Sequence, residues 1–204
     1  MALKIYGVAL SRTYRTLWMA EELGLPFELV ETPFTGGGAR TPEYLKINPN
    51  ARIPAIDEDG FILWESLAIN LYLAKKYGFG SFYPSALEDE ARAWQWSFWG
   101  ITEVERPAMT ALFNRVVLAE DKRDMLAAED AEKALFSPLS VLDGVVSRSR
   151  YLLGSEFTVA DLNVAAIVRN AHHARVDFTP FPNAASWLCA CHDRPAAQRA
   201  RQRE

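Results

Sequence analysis

The chain has 204 residues, half of them hydrophobic and 24% charged, and its formal net charge is −4. This length and apolar content are enough for one large or two small domains. An acidic chain without a basic stripe is not expected to bind a nucleic-acid backbone, and no apolar stretch approaches the roughly 18 residues that span a bilayer.

The first 78 residues alternate strand-like and helix-like patterns. The opening strand, helix and strand form a β-α-β unit, whose two strands should be parallel. Gly24 stops the first helix, Pro42 opens a short one, and the Asp59-Gly60 step signals a hairpin. The predicted elements in chain order are strand 3–6, helix 13–23, strand 27–31, a short helix from 42, strands 53–56 and 61–64, and helix 67–77.

Beyond a linker predicted at 79–87, the patterns are helical and no convincing strand appears. Gly100 and Pro107 are expected to bend the first long helix. Thr158 and Asp161 have the spacing of a capping box. The predicted helices are 88–118, 122–149, one opened by the capping box, and 184–191. The prediction is therefore an α/β domain of thioredoxin-like arrangement at 1–78 and an all-helical domain at 88–204.

The C-terminal end carries two further features. Cys189 and Cys191 are too close in sequence for an ordinary disulfide and have no cluster of metal ligands around them, so we expect free thiols in a reducing cytoplasm and no metal. The last residues are rich in arginine, and we expect a solvated, fraying terminus there rather than a binding patch. These arginines are Arg194, Arg199, Arg201 and Arg203.

The Ile53-Pro54 step stands at the start of a predicted strand. One interpretation is an ordinary edge-strand proline. The other is a cis bond, which in a thioredoxin-like fold exposes the backbone N–H and C=O of Ile53 to an extended peptide. The residues alone favour neither.

Glu65 and Ser66 precede the predicted helix at 67–77. With Ser66 as N-cap, position N3 is Ile69, so no acidic side chain fills the helix start. Its free N–H groups and positive dipole end favour an anion such as a carboxylate, and Glu65 would take an ammonium group. Together they suit an amino-acid head group, whereas the plainer interpretation is a Ser cap beside a solvated Glu.

Ser11 lies in the first strand-to-helix turn. A thiol brought to this point would have its pKa lowered, and the serine hydroxyl would donate a hydrogen bond to the sulfur. The sequence nearby offers no His or Asp for a catalytic triad. The alternative is again a simple helix cap.

These pieces together resemble the soluble glutathione transferases. The segments that carry the resemblance are 48–56, the hairpin, and 64–69, and the stretch from Tyr6 to Gly24 looks like bacterial and theta-like members. The layout matches over the whole chain, although the specific motifs lie within residues 1–78. In the helical half, residues 158–161 resemble the family's folding-related capping box, which is structural.

The resemblance implies a role for each site residue. Ser11 would activate the thiol of glutathione, with Tyr6 and Thr13 as alternatives. Ile53 beside cis-Pro54 would bind the cysteinyl backbone, and Glu65 and Ser66 the γ-glutamyl head. The cation near the glycyl carboxylate would be Arg52, with Arg40 as the weaker candidate.

The resemblance also implies a second substrate, a small hydrophobic electrophile, on the helical domain. Hypothetical lining residues there, for which core or interface packing is the plainer interpretation, are Trp94, Phe98, Trp99, Phe113 and His172. The expected protein is a cytoplasmic homodimeric glutathione transferase with glutathione as co-substrate. The alternatives are a non-catalytic interaction module of the same fold and a glutathione-dependent isomerase or dehalogenase.

Overall fold

The computed structural model describes residues 3–203, which divide into two compact units. The first unit runs to Tyr83 and also takes in the C-terminal stretch from Asp193, and the second spans Pro84–His192. The sequence-based boundaries had assigned everything after residue 87 to the helical domain. The stretch from Asp193 instead joins the first unit, because its arginines form ion pairs there.

The first unit is a small mixed sheet with helices. Its strands are β1 (Leu3–Gly7), β2 (Phe27–Glu31), β3 (Ala55–Glu58) and β4 (Phe61–Trp64). Its helices are α1 (Tyr14–Glu22), α2 (Pro42–Leu45) and α3 (Ser66–Tyr77), with a 3₁₀ turn at Gly38–Arg40. The strand order is β2-β1-β3-β4, in which β1 and β2 are parallel and the other pairs antiparallel. The predicted thioredoxin-like arrangement is confirmed.

Local chemistry explains where these elements turn. Asp59 and Gly60 both have positive φ, as a tight two-residue hairpin requires, and the Gly60 N–H donates to Asp57 Oδ1 at 2.8 Å. Thr41 caps α2 through its hydroxyl, with Pro42 at the first helical position. The bounds of β2 and β4 agree with the predicted 27–31 and 61–64. The strand predicted at 53–56 instead begins at Ala55, after the proline.

The C-terminal helix, Pro195–Arg201, packs on α1 and corrects the expectation of a fraying end. Arg194 forms two hydrogen bonds with the carboxylate of Glu22, at 2.6 and 2.9 Å. The Glu21 carboxylate forms ion pairs with Arg199, through Nε at 2.8 Å, and with Arg203, through Nη2 at 2.9 Å. Burial raises the pKa of Glu21, but the hydrogen bonds from both arginines outweigh it and hold that pKa below its usual value.

The second unit is helical in the residues described, and the predicted all-α class is confirmed. Its α-helices are α4 (Leu87–Trp99), α5 (Arg106–Leu112), α6 (Met125–Val146), α7 (Val159–His173) and α8 (Pro182–His192), so the C-terminal helix is α9. Gly100–Glu105 and Phe113–Val117 are π-helical, and Glu120–Lys122 is a 3₁₀ turn.

The helical run from α4 to the second π-helical segment changes its geometry in the region where Gly100 and Pro107 predict a bend. The backbone stays helical there, but the turn widens at Gly100–Glu105, immediately before the proline that lacks an N–H. A Cβ on Gly100 would come within 2.9 Å of Ile167 Cδ1, so glycine permits close packing against α7.

The capping box at the start of α7 is present and buried. Thr158 caps the helix, and the Asp161 carboxylate accepts from the Thr158 N–H at 3.0 Å. The same carboxylate also accepts from the Leu152 N–H at 2.8 Å and from Trp187 Nε1 at 3.1 Å. Asp161 thus joins the helix start, the preceding loop and α8 at a fully buried point.

Candidate functional site

The start of α3 differs from prediction by one residue, because Glu65 and not Ser66 is the N-cap. The Ile69 N–H donates to the Glu65 carbonyl at 2.9 Å, which places the cap at Glu65. Ser66 is therefore the first helical residue, and only 4% of it is exposed. The shift moves N3 to Ala68, so the first turn still contains no acidic side chain.

The geometry here favours an anion. No side chain caps α3, so its first N–H groups are available to a ligand beside the positive end of the helix dipole. Arg15 on α1, 2% exposed, places its Nη1 3.5 Å from Ser66 Oγ. The Arg15 carbonyl accepts from Asn70 Nδ2 at 3.2 Å, which ties α1 to the first turns of α3. A buried guanidinium next to a helix start adds positive charge where a carboxylate would bind.

Sequence reasoning did not identify Arg15 as a site residue. Every position of α1 from Tyr14 to Ala20 is buried, so helical periodicity gives no cue that this arginine points to α3. A charged residue inside such an apolar run was the available signal, because buried charges require partners.

Glu65 has an unusual backbone and an exposed side chain. Its φ of 76° and ψ of 112° lie in a region that a residue with a Cβ rarely adopts. The strain arises because β4 ends at Trp64 and α3 begins at Ser66, which leaves one residue for the turn. Strain of this kind concentrates at ligand sites. The exposed carboxylate beside the helix start fits the predicted ammonium-binding role.

Ser11 lies in a kinked turn, Ala9–Thr13, between β1 and α1. Its Oγ lies 2.7 Å from the Val8 carbonyl and 2.9 Å from Thr13 Oγ1, and it accepts from the Thr13 N–H at 3.1 Å. The capping interpretation is therefore seen in the structure. Ser11 is also partly exposed, so its hydroxyl is accessible to a ligand.

The two alternatives to Ser11 have other surroundings. Thr13 is fully buried and packs against Gly7, where a Cβ would fall 2.0 Å from Thr13 Oγ1. Tyr6 lies within β1, and its ring packs against the Tyr44 ring at 6.0 Å between centroids. Burial, followed by the charge of Asp57, raises the pKa of Tyr6, so its phenol stays protonated.

The loop before β3 contains the predicted backbone-binding residue. The Ile53-Pro54 peptide is cis, which decides between the two interpretations of the sequence. Ile53 is half-buried, and the paired residues of β3 begin after it at Ala55. The carbonyl of Arg52 accepts two side-chain hydrogen bonds, whereas the side chains of Arg52 and Arg40 are exposed.

The aromatic residues predicted on the helical unit are mostly not core residues. Trp94, Phe98 and Phe113 are exposed, and this excludes core packing for them. Trp99 is half-buried, with its ring edge-on to that of Trp96 at 5.0 Å. His172 is exposed and packs on Phe178.

The described residues contain neither a cluster of metal ligands nor a helix suited to a membrane. Among residues 3–203, no group of three or more His, Cys, Asp or Glu side chains is placed to hold a metal ion. In the same residues, no helix combines the length and apolarity that crossing a membrane requires.

Comparison with known proteins gives one consistent result. Residues 1–75 match the family model described as the N-terminal domain of glutathione S-transferase, and residues 104–195 match the C-terminal domain. Glutathione S-transferase 3 of Zea mays is 33% identical over 97% of this chain and 92% of its own length. Glutathione S-transferase GstB of Escherichia coli K12 is 29% identical over 91% and 90%.

The fold comparison agrees. A theta class glutathione S-transferase from Xanthomonas axonopodis pv. citri, solved with glutathione bound, superposes with a TM-score of 0.91. The two are 27% identical, and the match covers 97% of this chain and 96% of that one.

Proposed function

The chain belongs to the glutathione S-transferase family, and on that premise we propose that its first unit holds glutathione at the start of α3 and activates the thiol with Ser11. The γ-glutamyl carboxylate binds the free N–H groups of α3 and the Ser66 hydroxyl. The Glu65 carboxylate takes the ammonium group. The uncapped helix start, with Ser66 beside buried Arg15, is the observation that carries this assignment.

The direction of the glutathione peptide then places its other two residues, the cysteinyl and the glycyl. The cysteinyl backbone pairs with the N–H and C=O of Ile53, as in strand addition. Arg52 extends an exposed guanidinium for the glycyl carboxylate, and Arg40 is the second cation available for it.

The activity is glutathione transfer. The Ser11 hydroxyl, which donates to the Val8 carbonyl in the structure, turns to donate to the thiolate sulfur instead. This hydrogen bond stabilises the charged form of the thiol. The thiolate, whose proton has passed to water, forms a bond from its sulfur to an electrophilic carbon. In a substitution the bond from that carbon to the leaving group breaks and its electron pair departs with the group. In an addition the π bond breaks and its electron pair takes up a proton from water. Holding the thiol beside the Ser11 hydroxyl supplies the orientation of the attacking sulfur.

The exposed aromatic side chains Trp94, Phe98 and Phe113, with half-buried Trp99, supply apolar surface for a small hydrophobic electrophile on the helical unit. Exposed apolar surface of this kind marks a ligand or partner site where the side chains form a contiguous patch. This assignment is separate from that of the glutathione site.

Isothermal titration with reduced glutathione tests the site. Ser66→Ala should raise the Kd about 10- to 100-fold, because the hydroxyl contacts a charged carboxylate. The matched control is Ser186→Ala, which removes one hydroxyl hydrogen bond to the Pro182 carbonyl in the other unit and should leave the Kd unchanged. An unchanged Kd in Ser66→Ala would place the anion elsewhere.

We also propose a cytoplasmic homodimer. The free thiols of Cys189 and Cys191 suit a reducing compartment. The edge strand β4 exposes Phe61, Ile62 and Trp64, and an apolar edge strand requires cover.

The dimer has its own test in sedimentation velocity. Ile62→Glu should shift the protein from dimer to monomer, because a buried unpaired carboxylate is costly at an apolar contact. Leu126→Glu places the same charge at an exposed position of α6 and should leave the dimer intact. A dimer that persists in Ile62→Glu would show that β4 is not the contact.

A further inference from the structure

The carbonyl oxygen of Arg52, in the loop before β3, accepts hydrogen bonds from two side chains. Tyr44 donates its hydroxyl to this oxygen at 2.6 Å, and Asn48 donates its Nδ2 at 2.7 Å. A carbonyl has two lone pairs, so these two donors satisfy it completely. The orientation of this one peptide group is therefore set by side chains.

Tyr44 itself is firmly placed. Only 4% of it is exposed, and its ring lies in an apolar cluster with Ala39 and Ala55, against which Ile53 also packs. Its N–H is accepted by Thr41 Oγ1 at the start of α2. Burial raises the pKa of Tyr44 to about 12, so its hydroxyl keeps its proton and remains a donor at any ordinary assay pH.

The peptide group that Tyr44 holds is the one that carries the Ile53 N–H. The Arg52–Ile53 bond is trans, since Ile53-Pro54 is the cis bond found in the described chain. In a planar trans peptide the C=O and the N–H point in opposite directions, so fixing one fixes the other. The two hydrogen bonds on the Arg52 oxygen therefore aim the Ile53 N–H away from Tyr44 and Asn48.

We propose that Tyr44 is a positioning residue for glutathione, acting through the Arg52 carbonyl to hold the Ile53 N–H in the direction that the cysteinyl carbonyl of glutathione requires. The inference rests on the proposed function, because it assumes that Ile53 pairs with the cysteinyl backbone. Preorganising a donor lowers the entropy lost on binding. Tyr44 touches neither the thiol nor the electrophile in this scheme, so it acts on binding and not on the chemical step.

The test is Tyr44→Phe, which removes one hydroxyl and keeps the ring. The Kd of glutathione should rise about 3- to 10-fold, the value of one neutral hydrogen bond. In steady-state assays KM for glutathione should rise by a similar factor, while kcat at saturating glutathione stays within about twofold. Asn48 still holds the Arg52 oxygen, so the fold should survive.

The matched control is Tyr72→Phe. It also removes a tyrosine hydroxyl hydrogen bond in the first unit, the one to Glu58 Oε2 at 2.5 Å. Glutathione affinity should stay at the wild-type value there. A ligand-free readout is amide hydrogen exchange at Ala51, whose N–H donates to the Asn48 carbonyl at 3.0 Å in this loop. Exchange should be faster in Tyr44→Phe and unchanged in Tyr72→Phe.

The outcomes separate the two ideas. Wild-type protein that fails to bind glutathione would overturn the proposed function and this inference with it. Wild-type binding with an unchanged Kd in Tyr44→Phe would overturn the inference alone. An equal loss of affinity in both variants, or a fall in kcat that matches the rise in KM, would also contradict it, because either would show a general effect on the fold or the chemistry.

Discussion

Replacing Ser11 with alanine is expected to lower kcat/KM for conjugation about 10- to 100-fold near neutral pH, the value of a hydrogen bond to a charged group. The physical reason is that, in the proposed mechanism, the Ser11 hydroxyl donates to the sulfur, and its loss raises the pKa of bound glutathione's thiol. The variant should regain rate in alkali, where the thiol ionises unaided. The measurement is the pH profile of kcat/KM together with the ultraviolet absorbance of the bound thiolate.

Two controls make this result specific. Ser11→Thr keeps a hydroxyl and should restore much of the rate. Isothermal titration should show glutathione binding within about tenfold of the wild type in Ser11→Ala, because the head group is proposed to bind at α3 and one neutral hydrogen bond is the most that binding loses. A pH profile identical to that of the wild type would remove Ser11 from the role. Tyr6→Phe would then be the next variant, since the phenol of Tyr6 is a protonated donor.

Asp161→Ala should lower the free energy of unfolding of the protein by about 3–5 kcal/mol, because several buried donors lose their common acceptor. The Leu152 N–H, the Thr158 N–H and the Trp187 indole N–H all donate to this carboxylate. Each buried donor without an acceptor costs about 1–3 kcal/mol, and the capping box of α7 is lost as well. Urea denaturation, followed by circular dichroism, measures the change.

Asp143→Ala is the matched comparison. Its carboxylate also accepts three hydrogen bonds, from the Asn183 and Ala184 N–H groups and from Asn183 Nδ2, but the two from Asn183 are exposed and the one from Ala184 is only partly buried. Water can replace the Asp143 carboxylate as acceptor, so we expect the free energy of unfolding to fall by only about 1 kcal/mol in Asp143→Ala. Equal losses in the two variants would mean that burial does not set the cost at Asp161. A small loss in Asp161→Ala would show that water enters and satisfies the donors.

Much of the fold was predictable because its signals lie within a few residues. The strand at 27–31, the hairpin around Asp59-Gly60 and the Thr41-Pro42 helix start are each decided by local backbone preferences and side-chain caps. The capping box of Thr158 and Asp161 has the same origin, since both partners lie within one helical turn. The absence of an acidic residue from the first turn of α3 was also predictable, because it is visible in the chain even when the cap is misplaced by one residue.

The remainder depends on contacts between residues far apart in sequence. The preference of serine for the N-cap predicts Ser66 as the cap of α3, but the tight junction from β4 moves the cap to Glu65. The contact of Arg15 with Ser66 spans 51 positions. The bond from Arg194 to Glu22 spans 172, which is why the terminal helix could not be assigned to the first unit.

The amino-acid sequence by itself therefore determined the element types, the two-part organisation and the residues proposed to bind an amino-acid head group, since those follow from local propensity, spacing and family motifs. Only the tertiary structure decided that Arg15 lies beside Ser66, that the Tyr44 hydroxyl donates to the Arg52 carbonyl, and that the C-terminal arginines pair with α1. Each of these depends on how separate elements pack. Packing brings together side chains that lie too far apart along the chain for a local sequence pattern to predict their contact.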